Sequence, residues 1–296
     1  MSTPLDLTGQ VSVPVGTRFS EYGGAYGDTW KATWQRTEGS LAQVSVRVLR
    51  TDSGKNDLPE KYRREISAWR KLHHPNIAEL LGTVNEFGIY KSYGMVSPWM
   101  ENGNLSTFLE KNRTTITITE RFQIVRGSYL AVHSSGMFHG DITGTNIFID
   151  GSKRAYLIGF GLSSGYVEPE YSTTIDKALR WKAAELVPSI HDAFDTFKPV
   201  IRPACDVFSF GRIMLQTISG KIPYHEVKSD AAVLVAVAQG IHPHRPDNAI
   251  MPDHYWRVIS RCWEKPDSRP SAEEISHEIH ELRDALNGDT AAGSTV

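Results

Sequence analysis

The sequence predicts an α+β chain of two lobes, a small β-rich lobe followed by a larger α-helical one. Three observations carry that prediction: strand-like alternation before residue 100, a helical texture after Asn104, and a run of helices from Asp206 onward. Val44 to Arg50, "VSVRVLR", alternates apolar and polar side chains as a half-buried strand does. Ahead of it, "YGGAYGDTW" brings Gly23, Gly24 and Gly27 close together, the pattern of a tight turn between strands. "LPEKYRREISAWRKL" then sets Leu58, Tyr62, Ile66, Trp69 and Leu72 at helical spacing, with Pro59 near its start. Apolar stretches follow around Ile77 and Met95.

In the second part, "LSTFLEKN" and "ERFQIVRGSYLAVHSSG" read as helices, the latter ending near Gly136. "MFHGDITGTNIFID" and "AYLIGFGL" read as short strands separated by a polar loop. Turns are expected at "SGKIPY" and "HPHRPD". In the last helical stretch Ser271 stands as N-cap with Glu274 three residues on, a capping box. The expected organisation is an N-terminal segment over 1–16, a domain over 17–285 dividing at 99/100, and a flexible tail over 286–296.

Composition narrows the function classes. Apolar residues make up 40% of the chain and charged ones 22%, as in an ordinary globular protein. A formal net charge of -2 gives no reason to expect nucleic acid or an anionic membrane as partner. Cys205 and Cys262 show no metal-like spacing, so a reducing, cytoplasmic setting is expected. "MSTPLDLTGQ" lacks the basic start and apolar core of a secretory signal. "AAVLVAVA", from Ala231, is too short to span a bilayer.

Seven segments follow one another in a telling order: "YGGAYG", "VSVR", "REISAWRKLHHPNIAELLG", "HGDITGTN", "GFG", "RWKAAE" and "DVFSFG", with "RCWEKPDSRP" closing the set. In this order they resemble the protein kinase family, and within it the tyrosine-kinase-like branch. The resemblance implies a bilobal kinase fold and a chemistry of positioning and charge neutralisation. It assigns Asp141 as the base that accepts the substrate hydroxyl proton and Asn146 as a metal ligand. Glu65 becomes the helix acid that pairs with a strand lysine. His139, Phe160 and Trp69 become members of an apolar spine linking the lobes. Asp206 ties the catalytic loop to the large lobe, and Glu185 and Arg269 form a bracing ion pair. From the residues alone, Asp141 also reads as a loop acid bonded to nearby backbone, and Glu65 as a paired structural acid.

The departures from the family pattern lie at the chemistry. Arg47 stands at the strand lysine, a planar fork where the family has a point charge. Gly159 stands at the metal-binding aspartate and brings no side chain. Neither Thr143 nor Thr145 supplies the cation that faces the transferring phosphate. Gly140 replaces the arginine that receives an activation-loop phosphate, so Tyr171, Ser172, Thr173 and Thr174 lack that partner. Ala184 replaces a proline after the loop. The nucleotide-binding positions implied are Gly24, Gly27, Thr29, Ser45, Arg47, Glu65, Ser97, Trp99, Met100 and Phe148. Tyr22 takes the place of the first loop glycine and limits close backbone approach. Thr29 and Ser45 make the roof polar, and Phe148 is expected to fill the slot from below.

The expected function is that of a pseudokinase, an interaction or allosteric module for other signalling proteins, an active kinase among them. Two alternatives stay open: a weak phosphotransferase using Asp141, and a metal-independent nucleotide switch holding ATP through Arg47. ATP and Mg²⁺ are the cofactors the resemblance implies, and the substitutions weaken the case for both.

Overall fold

The computed structural model describes residues 4–14, 17, 19–23, 27–49, 60–88, 92–133, 138–160, 177–188, 197, 199–247 and 249–292. The first lobe is an antiparallel sheet. Its strands are β1 (Val11–Ser12), β2 (Tyr22–Gly23), β3 (Gly27–Gln35), β4 (Leu41–Leu49), β5 (Gly82–Phe87) and β6 (Ser92–Pro98). Their order is β1-β3-β4-β6-β5, with β2 paired to β3. Strands β2 and β3, on either side of the glycine-rich segment, pair with Gly23 opposite Asp28. Helix α1 (Glu60–Trp69) accompanies the sheet.

The alternation in "VSVRV" sorts the sheet's two faces. Val44 and Val46 point into a core with Leu7, Ala32, Val84, Phe87 and Val96. Leu7 is completely buried there. Residues 4–14 therefore belong to the small lobe: Val11 pairs with Trp34, and the Leu7 amide donates to the Thr83 carbonyl at 2.8 Å. This corrects the boundary expected at residue 17. A two-residue strand shows no periodicity from which to read it.

The second lobe holds α2 (Leu105–Lys111), α3 (Ile118–His133), the hairpin β7 (Ile147–Ile149) and β8 (Ala155–Leu157), then α4 (Pro203–Ser219), α5 (Asp230–Ala238), α6 (Asp253–Cys262) and α7 (Ala272–Ala292). Helix α4 is the hub, buried continuously from Cys205 to Ile218. Its Phe208 and Met214 share a core with Phe122, Tyr255, Ile259 and Ile275 of the surrounding elements. The capping box forms as expected: the Ser271 amide donates to Glu274 Oε2 at 2.6 Å, and the Glu274 amide to Ser271 Oγ at 3.2 Å. Helix α7 runs on to Ala292, past the tail expected from residue 286. No proline stops it before that point, although Gly288 and Asp289 are poor helix formers.

One apolar cluster crosses between the lobes. It joins Tyr62, Ile66 and Trp69 of α1 to Leu105, Ile147, Phe148, Leu157 and Phe160 of the second lobe. No helix of the described residues is long and apolar enough to cross a membrane.

Candidate nucleotide and phosphoryl-transfer site

Strand register fixes which side chains look toward the cleft. Tyr22 pairs with Thr29, Thr29 with Arg47, and Arg47 with Met95, across four strands. Two residues along, Lys31, Ser45 and Ser97 form the next row. Cross-strand partners share a face, so Thr29, Ser45, Arg47 and Ser97 stand together on the face opposite the Val44–Val46 core. Thr29, Ser45 and Ser97 are buried there.

Arg47 spans the cleft. Its Nε lies 3.7 Å from Oε1 of the buried Glu65. Its Nη1 donates to Asn146 Oδ1 in the second lobe at 3.5 Å. The Asn146 amide donates at its other end to Asp141, 2.8 Å to Oδ2 and 2.9 Å to the carbonyl. Gly159 lies beside this chain of contacts with φ +88°, a backbone that favours glycine. A Cβ added there would sit 3.2 Å from Asn146 and 3.3 Å from Arg47 Nη1. Thr143 and Thr145 bond to each other through their hydroxyls at 2.9 Å.

Trp99, Met100 and Phe148 stand together on the base side. Strand β7 holds Phe148 in place: the Ile149 amide donates to the Gly103 carbonyl at 2.8 Å, and the Asn102 amide to the Ile149 carbonyl at 3.1 Å. Phe148 is buried. Lys31 Nζ lies 5.1 Å from the centroid of the Trp99 ring. The Tyr22 ring enters this group, 6.2 Å from Trp99 and 5.6 Å from Phe148 between centroids. Sequence reading treated Tyr22 as an obstacle to backbone approach and missed its side chain as an occupant. The available signal was an aromatic residue, Tyr22, at a loop glycine position above a slot already assigned Trp99 and Phe148. Gly27 begins β3. Gly24 lies outside the described residues, as do Tyr171, Ser172, Thr173 and Thr174. A cavity of about 340 Å³ lined by Pro203, Val207, Arg269 and Ser271 lies in the second lobe and shares none of these residues.

The sequence profile of the family described as protein tyrosine and serine/threonine kinase matches residues 22–279. The chain belongs to the protein kinase family. Among curated proteins it is 24% identical over 265 residues to the serine/threonine-protein kinase STY46 of Arabidopsis thaliana, covering 88% of this chain and 42% of that one. It is 26% identical over 246 residues to the dual specificity protein kinase pyk3 of Dictyostelium discoideum, covering 81% and 17%. It is 32% identical over 255 residues to the human ephrin type-A receptor 5, covering 77% and 23%. The chain thus spans less than half the length of these relatives.

Among the described residues, the kinase architecture surrounds this site. His139, Phe160 and Trp69 form the contiguous spine, with ring centroids 5.0 Å and 5.8 Å apart. Burial, with help from the Arg47 charge, pushes the His139 ring down to about 4, so it stays neutral. Its Nε2 lies 2.9 Å from the Ile158 carbonyl. Asp206 of α4 accepts from the amides of His139 and Gly140 at 2.6 Å and 2.8 Å, tying the catalytic loop to the hub helix. Burial pushes Asp206 up to about 7 against those two hydrogen bonds, and the nearby Asp141 charge adds to the rise. Glu185 and Arg269 pair in a fork at 2.5 Å and 2.9 Å, and Arg269 also donates to the Ala204 carbonyl at 2.8 Å.

Proposed function

We propose that this chain is a catalytically impaired member of the protein kinase family that acts as an interaction or allosteric module for other signalling proteins. The observation that carries the reading is the Arg47–Asn146 contact beside Gly159. Mg²⁺ needs hard oxygen ligands, chiefly carboxylates, phosphates and water. At this site Gly159 offers no carboxylate. The Asn146 oxygen faces a guanidinium within 3.5 Å. A fixed cation therefore stands where the family's metal would need its ligands, and the residues present do not fit Mg²⁺.

The remaining losses point the same way. With threonines at 143 and 145, no cation from the catalytic loop faces the transferring phosphate. Removing one preorganised electrostatic group commonly costs about 10²–10³-fold in rate, and several are altered here. Meanwhile the spine, the Asp206 tie and the Glu185–Arg269 brace support a kinase-shaped scaffold without its phosphoryl chemistry. Cytoplasmic signalling proteins, an active kinase among them, are the partners this reading calls for.

A second reading, a weak phosphotransferase, draws on Asp141 and on relatives that are named as kinases. Transfer from γ-labelled ATP with Mg²⁺, to the chain itself and to generic protein substrates, separates the two. The impaired reading predicts no transfer above that of Asp141→Asn. Transfer that disappears in Asp141→Asn overturns it.

A further inference from the structure

Three aromatic rings meet in the base slot, and one of them comes from the strand that covers it. Tyr22 opens β2, where the family pattern has glycine. Its ring stacks on Trp99 with planes 25° apart and meets Phe148 edge-on at 89°. Offset stacks and edge contacts are the arrangements that ring quadrupoles favour. The hydroxyl end reaches Gly103, so closely that an added Cβ there would overlap it. Gly103 has φ +70°, so glycine serves this turn twice, by its backbone and by its missing side chain. The ring also packs on the cluster shared by both lobes. Burial raises its phenol above the ordinary range, and Glu21 adds to the rise.

These contacts are those of a bound planar ligand. One face lies on Trp99, the ring meets Phe148 edge-on, and the polar end meets the segment before α2. We infer that Tyr22 is a tethered occupant of the base slot and that a planar heterocycle binds this chain only by displacing it. The slot is the one assigned by the family reading above, on which this inference rests. Phe148 alone is then the floor of the slot and Tyr22 its filling. Displacing Tyr22 opens an aromatic-lined site for a purine-like ring between Trp99 and Phe148.

Adenosine is the probe, because it presents a base and no phosphate to Arg47 or Asn146. Titration calorimetry on the full chain compares the wild type with Tyr22→Gly and Tyr22→Phe. Tyr22→Gly is expected to bind adenosine about tenfold or more tightly than the wild type. Tyr22→Phe keeps the ring and is expected to match the wild type. Equal affinity of wild type and Tyr22→Gly overturns the inference. So does a folded Tyr22→Gly chain that binds no adenosine, since Phe148 would then fill the slot by itself. Should Tyr22→Gly fail to fold, nuclear Overhauser contacts between the Tyr22 and Phe148 rings of the wild-type chain decide the matter, and their absence overturns it. Phosphoryl transfer is a separate readout: transfer by the wild type defeats the impaired-kinase reading, whereas the adenosine comparison decides the occupant alone.

Discussion

At Arg47 a planar fork replaces a point charge, and its reach decides what it touches. The guanidinium spans from Glu65 in one lobe to Asn146 in the other. Glu65 is almost fully buried. Breaking a buried pair leaves a charge without compensation, at a cost of about 3–5 kcal/mol. Arg47→Ala is therefore expected to lower stability by about that amount in urea unfolding, and Arg47→Ala with Glu65→Gln to recover part of it. A loss below about 1 kcal/mol contradicts the pairing. The pairing itself was legible in the sequence, because strand and helix positions are fixed by their motifs. The Asn146 contact was not, since it depends on how far a longer side chain reaches across two lobes. Gly159 was legible as a glycine at the family's metal-acid position. That its empty Cβ position borders Arg47 emerges only when the chain is folded.

At the scale of elements, the catalytic loop hangs from α4 through one carboxylate. Asp206 holds two loop amides and is fully buried. Its pKa is raised from the ordinary 3.8 to about 7, so the folded state favours its protonated form. That contribution is fully present below the unfolded value and is lost as pH rises through about 7. His139 beside it has the opposite sign. Its ring is depressed from 6.5 to about 4, so its contribution is present above 6.5 and lost as pH falls through about 4. The two oppose each other in the acidic range, and Asp206→Asn separates them. The stability of wild type minus Asp206→Asn is expected to rise by on the order of 4 kcal/mol as pH falls from about 7 to about 4. A difference independent of pH contradicts the assignment. Elements with local signals were legible: the capping box of α7, the alternation of β4 and the spacing of α1. Strand β1 was not, because its two residues carry no pattern of their own and are held by pairing with Trp34 and Thr33 of β3.

Across the whole molecule, the small and large lobes share one apolar core and the spine runs through it. The order of motifs made this architecture readable, since each motif marks an element whose neighbours are set by the fold. The cleft was readable in outline only. Its departures at Tyr22, Arg47 and Gly159 are visible one by one, but their joint effect is spatial: Tyr22 enters the base side and Arg47 spans the phosphate side. On the proposed function, this cleft does not take a metal-bound nucleotide. The most direct test is the melting temperature of the full chain with millimolar ATP, with and without Mg²⁺. A ligand at about 100 times its Kd stabilises by about 2.7 kcal/mol, which such a scan resolves readily. No shift is expected in either condition, and a shift that requires Mg²⁺ would mean that the cleft takes the metal-bound nucleotide after all.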